Sequence, residues 1–438
     1  RSSLFTGRYV HNHGSINNSV SGECSGPGWQ AVQEKETFAV HLKKAGYTTF
    51  YSGKYLNQYG TKETGGPSHI PPGWDSWVGL IGNSQYYNYS LSINGTKEYH
   101  GDDYGRDYLT NIIRNRSLEF LDNRPQETPF FMMLATPAPH YPFIPEPKYA
   151  TKFSALKSPR TPNFNIRNGP DKNWLLRQGQ QPLPDEFIDI VDEDFRQRWR
   201  TLLTVDDMIN DVIKSLETKK MLDNTYIIFT SDHGYHLGQF SLPIDKREPY
   251  EFDIRVPLLM RGPGINAGSI VKGASLNIDL APTFLDLAGI SVPSSMDGIS
   301  LKSLIMDNKT SSEKTWKSRV FLTEHSGEGK EVNTGCDTPL YGMGGCNQIF
   351  NCKCEDSWNN TYACVRTVSE SENSVFCNWP MQSGFVEFYD LKRDPYQIKN
   401  TVQDFPQDEH DKLLIFLHQL QICRGYNQCT YENMPEKI

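Results

Sequence analysis

Several residues of this 438-residue chain have types and spacing that could do chemistry together. Asp232 and His233 are adjacent and offer a carboxylate and an imidazole to a divalent cation. Lys54, Lys246, Arg247 and the leading Arg1 offer fixed positive charge to an anion. A site holding both kinds calls for a doubly charged substrate group, because cations alone repel a metal and a metal alone does not require them. At an effective dielectric near 20, one Lys about 4 Å from a unit negative charge is worth ~4 kcal/mol, so two or three can dominate recognition of a sulfate or phosphate ester. His140 or His236 could protonate the leaving oxygen or orient the anion. The residues therefore point to metal-assisted hydrolysis of an oxyanion ester, with no nucleophile in view. Asp245 and Asp253 are the further metal-ligand candidates of this region, too few for a two-metal site without ligands from upstream. A metal-binding module without catalysis is the plainer alternative.

The elements that must position these groups follow a helix-then-strand rhythm. Residues 37–45 (TFAVHLKKA) predict a short amphipathic helix stopped by Gly46, and 47–51 (YTTFY) the strand after it, ending at Ser52-Gly53-Lys54. Apolar positions at helical spacing predict a helix over 107–121, and the continuous run 129–135 (PFFMMLA) suits a parallel strand covered on both faces, ending in Thr136-Pro137-Ala138-Pro139-His140. A long helix or helix pair is expected over 192–219, and 225–230 (TYIIFT) reads as the next buried strand, ending in Ser231-Asp232-His233-Gly234. A further helix over 279–288 has Asp279 placed to cap it, Pro282 near its first turn and Gly289 as its stop. In an open α/β sheet ligands sit beyond the carboxyl ends of the strands, so Lys54, His140, Asp232 and His233 are expected to converge. Taken singly they read as a solvated turn residue, a Pro-rich loop residue and a helix cap. The stretch 154–184, rich in Pro, Asn, Arg and Lys, reads as a surface excursion of the kind that borders a binding site.

Composition narrows the class. Hydrophobic residues are 37% of the chain, and no apolar run approaches the roughly 18 residues of a membrane span. A net charge of -8 argues against a general polyanion binder such as a sequence-independent nucleic-acid protein, although all eleven His protonated would bring it to +3, so an acidic compartment favours anions. Of nine Cys, Cys24 stands alone in the first 335 residues. Cys336, Cys346, Cys352, Cys354, Cys364, Cys377, Cys423 and Cys429 crowd the tail, which reads as a disulfide-stapled module made in an oxidising compartment. Sequons at Asn17, Asn88, Asn94, Asn115, Asn308 and Asn359 add to that reading. A polar linker over 308–314 is expected to divide a large α/β unit, 1–310, from a Cys-rich, mostly β unit, 311–438, with strand-like runs at 319–322, 362–367 and 385–389 and a closing helix at 409–422.

Several blocks resemble the sulfatase family. RSSLFTGR (1–8) is similar to the part after the Cys in the signature C-x-P-S-R-x-x-L-x-T-G-[KR], GYTTFYSGKYLNQYG (46–60) to the second signature, and TSDHGYHLGQF (230–240), DKREPYEFDIRVPLLMRGPG (245–264) and FYDLKRDPYQIKN (388–400) to later blocks. K-Y-L-N after Gly53, the A-T-P-A-P-H block and YYNYSLSING (86–95) resemble most the members acting on 6-sulfated glucosamine, whereas Asp-His-Gly at 232–234 resembles the extracellular heparan sulfate 6-O-endosulfatases.

The resemblance implies an alkaline-phosphatase-like fold: an α/β central sheet flanked by helices, with a smaller C-terminal domain containing an antiparallel sheet. It implies a sulfuric ester hydrolase that removes 6-O-sulfate from N-acetylglucosamine residues of heparan or keratan sulfate, with Ca2+ and a formylglycine nucleophile. Arg1 would steady the formylglycine, Lys54 and Lys246 would hold sulfate oxygens, His140 would assist at the sulfate or the leaving group, and Asp232 with His233 would supply half of the calcium site. His236 and Arg247 are the further substrate-binding candidates, His236 because Leu56 stands where many arylsulfatases place a His. The signature Cys and two Asp of a first strand are expected upstream of Arg1, which leaves the chain as it stands without its nucleophile and inactive. The implied partners are the glycosaminoglycan substrate and a formylglycine-generating enzyme, and the implied location is the lysosome or the extracellular space. An inactive glycan-binding relative is the alternative of another class.

Overall fold

The computed structural model describes residues 1–306, 318–328, 343–350, 353–404 and 406–430, with backbone alone at 343–348 and 353–355. Asn308, Cys336, Cys352 and the 308–314 linker lie outside the described residues. The architecture is α/β, a central mixed sheet between helices, joined to a smaller antiparallel sheet. The central sheet has five strands, β1 (Thr48–Lys54), β2 (Ser76–Leu80), β3 (Tyr89–Ile93), β4 (Thr96–His100) and β5 (Phe130–Ala135), in the order β4-β3-β2-β1-β5. β1 runs parallel to β2 and β5, while β2-β3-β4 form an antiparallel extension.

β1 is central because its β-branched and aromatic residues can be buried on both faces. Phe50 faces a cluster with Phe120, Ile113 and Met208 from the helices Leu109–Asn123 and Asp185–Thr218. Tyr51 faces Phe38, Leu42 and Leu280 from the helices Phe38–Lys44 and Leu280–Leu287. The strand continues to Lys54 rather than stopping at Tyr51, because Gly53 lets the β1 and β5 backbones close up: its φ is +114°, and a Cβ there would lie 2.0 Å from Ala135 O.

Four expectations are corrected. The run 225–230 forms only β6 (Ile227–Thr230), half-buried, and it pairs antiparallel with β7 (Leu258–Arg261) instead of joining the parallel sheet. β5 is likewise only half-buried, so its apolar run does not mark a strand covered on both faces. Asp279 does not cap its helix with its side chain; its carboxylate accepts the backbone N–H of Leu276 and Ile299 and takes Arg319 in a fork at 2.6 and 2.7 Å, tying the core to the C-terminal sheet. The 154–184 stretch is a seam, with Lys172 and Asn173 buried, Lys172 Nζ donating to Tyr389 OH at 2.6 Å and Asn173 N to Glu387 Oε1 at 2.6 Å. Its Asn and Lys side chains satisfy buried polar groups, which polarity by itself does not distinguish from surface exposure.

The C-terminal sheet is β13-β12-β11-β8, all antiparallel, made of β8 (Ser318–His325), β11 (Tyr362–Ser369), β12 (Asn373–Trp379) and β13 (Phe385–Asp390). A two-stranded ribbon, β9 (Met343–Asn347) with β10 (Lys353–Ser357), accompanies it and sets Cys346 opposite Cys354 in register. The helix Gln407–Ile422 packs Phe416, Leu417 and Leu420 on Val320 and Leu322. Disulfides join Cys364 to Cys377 across β11 and β12, and Cys423 to Cys429 after that helix. Among the described residues no helix is long and apolar enough to cross a membrane.

Candidate functional site

The ends of β1, β5 and β6 open onto one cavity of about 320 Å³, whose wall includes Arg1, Lys54, His140, Asp232, His233 and Lys246. Lys54 is the last residue of β1 and only 7% exposed. Its amine is pulled down to about 7, first by burial, then by the Arg1 and Lys246 charges, with Asp232 pulling the other way. The register that pairs Gly53 with Ala135 sets the following loop, and hence His140, across from it. Arg1 fastens the strand ends together: Nε donates to Asp232 Oδ2 at 2.8 Å and Nη1 to the carbonyls of Lys54 and Tyr55.

Hydrogen bonds fix the imidazole protons. His140 Nδ1 donates to Tyr141 O at 2.8 Å, since a carbonyl can only accept, so Nε2 presents a lone pair; Lys246 Nζ stands 3.5 Å from it. Burial, then Lys246 and Lys54, pull His140 down to about 3. In the free site it is neutral and holds no Nε2 proton to give, so the protons available to a leaving oxygen are on the two lysines. His233 Nδ1 also donates to Gly234 O, at 2.7 Å, and its Nε2 stands 3.7 Å from Asp232 Oδ1, so that a proton on Nε2 faces the carboxylate. Burial opposes ionisation of Asp232, yet His233 and Arg1 outweigh it and hold the carboxyl well below the usual range.

Asp232 and His233 could contribute to a metal shell, but they do not make one. Calcium takes six to eight oxygen ligands. Asp232 Oδ2 already accepts from Arg1, His233 offers nitrogen, and no three His, Cys, Asp or Glu side chains gather for a metal among the described residues. Ser3, also on the wall, has the outward form of a nucleophile, with Oγ 2.9 Å from His13 Nε2. Ser15 N–H donates to His13 Nδ1 at 3.1 Å, however, so the proton of this neutral ring is on Nε2 and Ser3 accepts it. His13 is therefore not a base for Ser3. Cys24 lines the same wall as a buried free thiol, raised by burial.

Two candidates sit differently from the rest. His236 is outside the cavity wall; it is buried, 2.9 Å from Asp253 Oδ2, with its backbone N–H on Asp245 O. It braces the segment carrying Lys246 rather than facing a substrate. Arg247 is on the wall but committed, donating to Asp245 at 2.8 Å and to Glu328 and Asp356 at 3.0 Å each. Asp245 between them holds a φ of +131°, backbone strain stored where Lys246 must be aimed. Of the sequons, Asn88, Asn94 and Asn115 are exposed, whereas Asn17 and Asn359 are half-buried and Asn17 lies on the cavity wall.

Sequence reasoning missed Arg198 and Tyr235 on one wall and Glu324, His325 and Glu328, from the end of β8, on another. Nothing in the pattern of the helix Asp185–Thr218 singles out Arg198. The β8 residues lie over 70 positions beyond Lys246, and only the docking of the two sheets brings them together.

A profile of the sulfatase family matches residues 1–290. The chain is 47% identical over 428 residues to N-acetylglucosamine-6-sulfatase of Capra hircus, covering 97% of this chain and 75% of that protein. It is 45% identical over 332 residues to an extracellular sulfatase SULF-1 homolog of Drosophila melanogaster, 75% of this chain and 29% of that one. A solved structure in complex with its substrate D-glucosamine-2-N,6-O-disulfate superimposes with a TM-score of 0.71 at 24% identity, over 96% of this chain and 86% of that chain, which shows the shared fold.

Proposed function

The chain belongs to the sulfatase family, and from that premise we propose that it hydrolyses the 6-O-sulfate ester of N-acetylglucosamine residues in heparan or keratan sulfate. The observation that carries the reading is the meeting of Lys54, Lys246 and the His140 imidazole across one cavity, in a chain so similar to an N-acetylglucosamine-6-sulfatase. Lys54 and Lys246 take the sulfate oxygens, and their charges favour the ester over the neutral alcohol. Lys246, its Nζ 3.5 Å from the His140 Nε2 lone pair, is placed to give its own proton to the leaving oxygen, with His140 orienting the amine. Arg1 ties the end of β1 to Asp232 beyond β6, and Arg247 anchors the Lys246 segment to Asp356 of the β9-β10 ribbon and to Glu328 just past β8.

Formylglycine, made from a signature Cys by a formylglycine-generating enzyme, supplies in this family the hydrate oxygen that attacks sulfur. It belongs to the proposal for the whole protein, as does Ca2+, toward which Asp232 and His233 are part of a shell and not the whole. Lysosomal residence is proposed with it, supported by the Cys-rich tail and the exposed sequons; secretion is the alternative. A second reading, as an extracellular 6-O-endosulfatase, is favoured by the similarity to the Drosophila protein and by Asp-His-Gly at 232–234, over a smaller share of the chain.

The test is sulfate release from N-acetylglucosamine-6-sulfate at pH 5 by the whole gene product, co-expressed with a formylglycine-generating enzyme. Release that is lost in Lys246→Ala and abolished by chelation supports the reading. No release from a confirmed formylglycine protein overturns the exo-acting assignment.

A further inference from the structure

Among the described residues, Arg198 is the one strongly cationic group of the cavity wall that the proposed reaction leaves unused. It projects from the helix Asp185–Thr218 between two rings, with its guanidinium carbon 4.1 Å from the Tyr235 centroid and 5.6 Å from that of Phe143. Nη1 donates to Pro139 O at 2.7 Å. Three deeply placed arginines have carboxylates, Arg200 on Glu193, Arg247 on Asp245 and Arg319 on Asp279, whereas half-buried Arg124, over the Phe130 ring, bonds carbonyls instead. Arg198 forms no ion pair among the described residues, and Asp194, one turn back on its helix, acts on it only at longer range. Asp194 is itself pushed up to about 6 by burial and by Glu193, so in acid it is largely neutral and compensates little.

A mostly desolvated guanidinium without a counter-ion is costly unless an anion arrives to share its remaining donors. Stacking on Tyr235 holds it in place and leaves an edge of its fork free for such a group. Lys246 Nζ lies 5.7 Å from the same Tyr235 centroid, so the two cations are on the order of 10 Å apart at most, within the span of one or two sugar rings.

We propose that Arg198, held by Tyr235, is a second anion subsite that reads a further sulfate or carboxylate on the substrate sugar or its neighbour. The proposal rests on the sulfate-ester reading of the cavity. Arg198 would then decide specificity, binding the second charge while Lys54 and Lys246 hold the scissile group. Its bond to Pro139 O also touches the loop of His140, and that purely positioning role predicts a different result.

Calorimetry on the chain separates the two. The probes are N-acetylglucosamine-6-sulfate, glucosamine-2-N,6-O-disulfate, and a disaccharide of 6-sulfated N-acetylglucosamine with a uronic acid, at pH 5. The expected result is at least 10-fold tighter binding of one of the doubly charged probes by the wild type, N-sulfate or uronate according to the source of the second charge. Arg198→Gln should erase that preference while changing the singly charged probe by less than 2-fold, and Arg198→Lys should keep part of it. Equal weakening of all probes in both variants, or no preference in the wild type, overturns the subsite. Failure of every probe to bind the wild type overturns the sulfate-ester reading itself, and the subsite with it.

Discussion

Replacing Lys54 with methionine should make the protein more stable in acid and a poorer sulfate binder at once. Lys54 is 7% exposed, and its amine is pulled from an ordinary 10.5 to about 7, chiefly by burial and then by Arg1. That displacement corresponds to a charge held in the folded state at a cost on the order of 3–5 kcal/mol. Proton counts set the sign. Between pH 7 and 10.5 the unfolded chain binds more protons at this residue than the folded one, so the penalty is fully present below pH 7 and is relieved as pH rises toward 10.5. Methionine keeps the length of the side chain and removes the charge, so Lys54→Met should gain about 2–3 kcal/mol at pH 5.5, allowing for relaxation around the native lysine, and almost nothing at pH 10. The same change removes one of two cations expected at the sulfate; at about 4 Å and an effective dielectric near 20 this is ~4 kcal/mol, a loss of roughly 10³-fold in affinity. Denaturant unfolding at pH 5.5 and 10 and a sulfate titration followed by calorimetry give both numbers. A variant that is less stable at pH 5.5, or that binds sulfate as well as the wild type, would refute the picture of Lys54 as a buried, functionally strained charge.

Three more outcomes rest on the same geometry. Gly53→Ala should destabilise by about 3 kcal/mol or more, because its Cβ would meet Ala135 O at 2.0 Å with φ at +114°; a denaturation midpoint and the near-ultraviolet signal of Tyr51 and Trp77 report it. Arg247→Met should cost about 3–5 kcal/mol in denaturant unfolding near neutral pH, since it leaves Asp245, Glu328 and Asp356 facing one another without their shared cation; a change below 1 kcal/mol would remove Arg247 as the anchor of that seam. Sulfate binding at pH 5 should take up close to one proton, because His140, held down to about 3 in the free site, gains a negative neighbour that favours its charged form. Calorimetry in buffers of different ionisation enthalpy measures that uptake, and the His140→Gln variant should abolish it.

Much of the fold and part of the site could be read from residue order alone. Period and chemistry locate β1, β5 and the long helix, and the polar residues at or just past the ends of apolar runs mark Lys54, His140, Asp232 and His233, because ligands of an α/β sheet sit beyond the carboxyl ends of its strands. The family blocks are contiguous in sequence, which is why they could be recognised without a structure. β2–β4 and β12 escaped that reading, since their short mixed runs are stabilised by cross-strand partners rather than by a pattern of their own.

What only the tertiary structure decided was which side chains share the cavity and in what protonation state. His233 and His236 are three residues apart and equally plausible by type, yet one faces the cavity and the other is turned into a buried pair with Asp253. The proton on His140, the proton that denies Ser3 a base, and the lowered Lys54 amine each depend on carbonyls and charges held in place by the folded chain. Arg198 and the β8 residues join the wall through helix packing and the docking of two sheets. Local pattern reports whether a residue belongs to a strand end; desolvation and hydrogen-bond geometry, which fix its chemistry, come largely from neighbours that are close in space and far apart in the chain.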